Sequence, residues 1–108
     1  MKLTELNPKF LKRDDSHHFR HVETIGEADG LWFLCPKCFL ANGGAKGTHG
    51  VICWSPSVPQ DTSPTPGRWN LVGSSFDNLS LVAGSSSVQL NGGCSWHGYV
   101  KNGEVTDA

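Results

Sequence analysis

The sequence predicts a mainly β fold: a small sheet sandwich or open barrel of about six short strands with long loops. Three observations lead there. Short apolar or alternating runs recur, as at Leu31-Trp32-Phe33-Leu34 and from His49 to Trp54. Turn-forming residues separate them, since the 108-residue chain holds 13 glycines and 6 prolines. Internal repeats and heptads are absent.

Residues 1–30 are polar and read as an irregular N-terminal arm packing on the domain that residues 31–108 build, the whole being one domain. Pro8 interrupts any helix through Leu3, Leu6, Phe10 and Leu11. Leu6, Phe10 and Leu11 are therefore expected to peg the arm down, with Asp14 to His21 as a mobile loop. Leu31 to Leu34 reads as a strand feeding a tight turn at Cys35-Pro36-Lys37-Cys38. Residues 42–48 form a flexible loop. The next strand, His49 to Trp54, puts Val51 and Cys53 on one face and Ile52 and Trp54 on the other. Residues 55–67 carry four prolines (Pro56, Pro59, Pro64, Pro66) and cannot pair in a ladder, so they form a long loop. Further strands are expected at Arg68 to Val72, Leu79 to Val82, Ser87 to Leu90, Gly98 to Lys101 and Glu104 to Thr106. Asn102-Gly103 joins the last two as a two-residue hairpin turn whose central residues both need positive φ.

An apolar fraction of 37% leaves a thin core, so an extra cross-link would help. A net charge of −1 provides no global field to draw the chain to nucleic acid or an anionic membrane. The local basic cluster of Lys9, Lys12, Arg13 and Arg20 reads as a solvated segment. The first residues lack the apolar run and cleavage site of a signal peptide, and no stretch is apolar enough for a transmembrane helix. In a reducing cytoplasm the four cysteines are expected as thiolate ligands rather than disulfides.

Zn²⁺ takes four ligands in a tetrahedron, and thiolates with imidazole suit it. Cys35-x-x-Cys38 supplies one closely spaced pair and Cys94-x-x-His97 another, the second preceded by Gly92 and Gly93 as a knuckle turn would require. An ion held by Cys35, Cys38, Cys94 and His97 would clip the first strand to the last hairpin. His49 and Cys53 are rivals for the fourth position. They could instead form a separate nucleophile–base pair, although no orienting third group or oxyanion motif accompanies them. A set of four protein ligands is closed and structural, whereas a catalytic zinc keeps a position open.

Trp32, Trp54, Trp69 and Trp96 are many indoles for this length. They are expected to thicken the core and shield the ion. The alternative is an exposed platform of Trp54, Arg68 and Trp69 for a partner's ring or carboxylate.

Several strings resemble those of a family of small uncharacterised proteins from tailed phages and prophages, the domain-of-unknown-function family six-five-two-seven. They are Phe33-Leu-Cys-Pro-Lys-Cys38, Gly47-Thr-His-Gly-Val-Ile-Cys-Trp54, Pro66-Gly-Arg-Trp69, Phe76-Asp-Asn-Leu-Ser-Leu81 and Gly92-Gly-Cys-Ser-Trp-His-Gly-Tyr-Val100. The opening Met1-Lys-Leu-Thr-Glu-Leu-Asn-Pro-Lys-Phe10 is similar too. The resemblance spans nearly the whole chain. It implies metal ligation at Cys35, Cys38, Cys94 and His97, a viral provenance, and residence in a host cytoplasm or a virion. It implies no established reaction.

The function expected is a zinc-bound structural or protein-interaction module, not an enzyme, whose partner is a phage or host protein. A zinc-dependent hydrolase using His49 and Cys53 and a nucleic-acid-binding accessory protein are the alternatives.

Overall fold

The computed structural model describes residues 1–65, 67–83, 87–89 and 95–108. Among these the chain forms one four-stranded, one two-stranded and one three-stranded sheet, all antiparallel, with one short α-helix. The mainly β expectation holds.

The four-stranded sheet has the order β2-β1-β3-β4, from β1 (Lys9–Asp15), β2 (His18–Val22), β3 (Gly30–Leu34) and β4 (Gly50–Trp54). Its register places Phe10 beside Leu31 and Leu31 beside Cys53, with Phe33 beside Val51. These five side chains share one face and are all buried. The alternation of Val51 and Cys53 against Ile52 and Trp54 is as the sequence predicts.

Residues 9–22 differ from expectation. The segment expected as irregular arm and mobile loop is a hairpin, and β1 lies inside the sheet rather than on top of it. Its charged residues hid the strand, because the outer half of the hairpin extends past the core where no apolar alternation is required. Leu6, Phe10 and Leu11 are nevertheless buried, as expected, and so is Leu3. Residues 3–6 form a 3-10 turn against the core, and the Leu3 amide donates to the Gly103 carbonyl at 2.8 Å.

The second and third sheets close the core from the other side. β5 (Asn70–Val72) pairs with β6 (Ser80–Val82), and β7 (Val88–Gln89) pairs with β8 (His97–Lys101), which pairs with β9 (Glu104–Asp107). Leu79, Leu81, Val88, Trp96, Val100 and Val105 meet the inner face of the first sheet, where Trp96 sets its ring edge-on to Phe33 at 6.1 Å. The β8–β9 turn has φ of 49° at Asn102 and 75° at Gly103, the two positive values that the Asn-Gly pair predicts. Of the strand expected over residues 87–90, position 90 lies outside the described residues.

The stretch after β3 is also different. Cys35 to Cys38 opens a helix, α1 (Pro36–Asn42), instead of making an isolated tight turn. Pro36 occupies the first helical position, where its fixed φ and missing N–H cost nothing, and Phe39, Leu40 and Ala41 propagate the turn. Gly43 ends it at φ 68°, with the Gly44 amide returning to the Phe39 carbonyl at 2.9 Å.

Candidate metal centre

The pairing of β3 with β4 builds the site. Their register ends at Leu34 opposite Gly50, and the Cys35 amide continues the ladder by donating to the His49 carbonyl at 2.9 Å. His49 is therefore set beside Cys35 by sheet geometry, although 14 positions separate them in sequence. Cys35 is the N-cap of α1 and Cys38 lies three residues on, so one helical turn brings the second sulfur to the same side. The ligand atoms of Cys35, Cys38 and His49 all lie within 4.8 Å of one another. Two thiols and an imidazole at that spacing could hold a metal ion.

The three differ in exposure. Cys35 is fully buried, Cys38 is half-buried and His49 is exposed. His49 Nδ1 lies 3.2 Å from the Gly50 carbonyl oxygen. That oxygen only accepts, so Nδ1 carries a hydrogen in this contact, and Nε2 is the nitrogen that a neutral imidazole held this way would offer to a cation. Gly50 is required beside it, because the Trp32 indole lies directly over the position that a Cβ would occupy. The loop from α1 back to β4 is tied internally. Thr48 Oγ1 donates to the Gly44 carbonyl at 2.6 Å, and the Thr48 amide to Ala45 at 3.0 Å.

His97, expected as the fourth ligand, does not join this group. The β8 pattern exposes His97, Tyr99 and Lys101 and turns Gly98 and Val100 inward, so the imidazole sits on the outer face with its ring 6.5 Å from Tyr99. Cys94, the other half of that expected pair, lies outside the described residues. Cys53 is not in the group either. It points into the core from β4, and full burial pushes its thiol far above the usual cysteine range. Such a thiol is a packing residue, which removes the nucleophile that the hydrolase alternative assigned to it.

No family model, curated protein or solved structure matches the chain. The centre therefore rests on its own geometry.

Of the trio expected as a partner-binding platform, Trp54 is buried and Arg68 and Trp69 are half-buried. Trp54 is 1% exposed, donates Nε1–H to the Ser63 carbonyl at 2.8 Å and packs with Leu11 and Val58. The Arg68 guanidinium donates to five backbone carbonyls, those of Val58, Pro59, Thr62, Pro64 and Gly67. Desolvation lowers its pKa, opposed by nearby Asp61. Trp69 is half-buried, and its Nε1–H donates to Ser87 at 3.1 Å. Arg68 is thus the organiser of the proline-rich loop, which has no ladder of its own to satisfy its carbonyls.

The basic cluster is likewise largely spent on neighbouring carboxylates. Lys12 lies 3.7 Å from Asp29 and Arg13 lies 3.4 Å from Asp61, while Arg20 pairs with Asp14. Arg13 Nε also donates to Thr62 at 2.7 Å. Cations compensated in this way offer little net charge to a phosphate backbone. Among the described residues no helix is long and apolar enough to cross a membrane.

Proposed function

We propose that this chain is a zinc-stabilised β module, of the phage type its motifs resemble, that acts by contact with another protein. The observation that carries the reading is the convergence of Cys35, Cys38 and His49 at the end of the β3–β4 ladder. Two thiolates and an imidazole are soft and borderline donors, a set that selects zinc over calcium or magnesium. We assign the fourth position to Cys94. Supporting this, Trp96, two residues after it, packs on Phe33, two residues before Cys35. With four protein ligands the ion is a structural clip joining β3, α1 and the segment before β8.

A hydrolase is the weaker reading because Cys53 is buried. Nucleic-acid binding is weaker too, because Trp54 is buried and Lys12, Arg13 and Arg20 are paired with carboxylates. Elemental analysis of protein purified without added metal tests the proposal, with about one zinc per chain expected. A cooperatively folded, metal-free chain overturns it.

A further inference from the structure

The three residues of the metal centre are unequally protected. Cys38 is half-buried and His49 exposed, while Cys35 is sealed in the core cluster. One sulfur is therefore open to a small oxidant and its neighbour is held beside it. The two cysteines sit at the N-cap and third position of α1, and their sulfurs lie within 4.8 Å of each other. Closure of that turn would bring them to the bonding distance of about 2.0 Å that a disulfide needs.

We propose that Cys35 and Cys38 form an oxidant-responsive dithiol: a hydroperoxide converts the pair to a disulfide and so releases the bound metal. The inference rests on the metal-binding reading of the same residues. In the first step the Cys38 thiolate attacks one peroxide oxygen. An S–O bond forms, the O–O bond breaks, and the leaving alkoxide or hydroxide takes a proton from water. In the second step the Cys35 thiolate attacks the Cys38 sulfenic sulfur. The S–S bond forms, the S–O bond breaks, and hydroxide leaves to become water. The two sulfurs together lose two electrons, and the peroxide oxygens gain them. The zinc ion is not oxidised. It is lost because a disulfide offers no thiolate, and His49 with the proposed Cys94 leaves only two of the four donors a closed zinc site uses.

The contact between the Cys35 amide and the His49 carbonyl is made by backbone atoms, so the sulfurs that change are not part of it. Cys53 is an internal control. It is fully buried on β4 with its thiol pushed up, so it remains reduced while Cys38 reacts.

The test treats the purified, metal-loaded chain with increasing hydrogen peroxide and follows zinc with a chromogenic chelator. Trypsin cleaves after Lys37, between the two cysteines, so a Cys35–Cys38 disulfide joins the peptides 21–37 and 38–46. Near-complete zinc release at about one equivalent of peroxide, together with that linked pair, is expected. Dithiothreitol should cleave the link and restore zinc binding. Zinc retained under excess peroxide overturns the inference, and so does release with Cys38 linked to any other cysteine. Absence of zinc from the untreated chain overturns the metal-binding reading itself, so the two failures are distinct.

Discussion

Replacing Cys35 with serine is expected to abolish metal binding and the cooperative unfolding transition together. A neutral hydroxyl is a poor zinc donor, and the substitution places it at a fully buried position within the main core cluster. A structural zinc contributes on the order of 10 kcal/mol in small domains, comparable to the whole net stability of about 5–15 kcal/mol that a domain possesses. Thermal unfolding followed by circular dichroism, with zinc measured on the same sample, checks this. Cys53→Ala is the matched control. It also removes a buried sulfur, but from a site that holds no ion, so it should cost about 1 kcal/mol and leave the zinc content unchanged.

Trp54→Ala is expected to be the costliest substitution away from the candidate metal centre. The indole is buried, satisfied at Nε1 by Ser63, edge-on to Phe19 at 5.7 Å, and pressed against Gly30 where no Cβ would fit. It joins three parts of the chain: the β1–β2 hairpin through Phe19 and Leu11, β4 through its own backbone, and the loop through Val58 and Ser63. Emptying that volume should cost about 3–5 kcal/mol, seen as a lower midpoint in urea unfolding. Because Trp54 faces away from the Val51 and Cys53 side of β4, the folded fraction should still bind zinc at full stoichiometry. A lost metal with an unchanged urea midpoint would contradict this placement.

The contrast between these two residues shows how far the sequence could be read. Strand positions were legible where burial imposes alternation, as in β4, and where a turn has its own chemistry, as at Asn102-Gly103. The β1–β2 hairpin was not legible. Lys12, Arg13, Arg20 and their carboxylate partners leave no apolar period, and its pairing is carried by backbone hydrogen bonds. Cys35 and Cys38 were recognisable from spacing alone. His49 was only a rival ligand, because what brings it to the thiols is a register. If Leu31 to Leu34 pairs antiparallel with Gly50 to Trp54, residue 35 must face residue 49. That signal lay in the two apolar runs, outweighed by the repeated two-residue spacing of Cys94 and His97. The outward direction of His97 follows from β8 alternation, which also needs the start of the strand to be known. Arg68 and Trp54 resembled an exposed recognition pair only because the sequence does not show how many loop carbonyls required donors.

The central claim is that Cys35, Cys38 and His49 hold one metal ion. Zinc-edge X-ray absorption of the purified chain tests it most directly, since it counts donor types around the ion. The expected spectrum has sulfur scatterers at about 2.3 Å and a nitrogen at about 2.0–2.1 Å. The nitrogen should disappear in His49→Gln and persist in His97→Gln. A shell made only of oxygen and nitrogen, or a nitrogen lost with His97 instead of His49, would contradict the account.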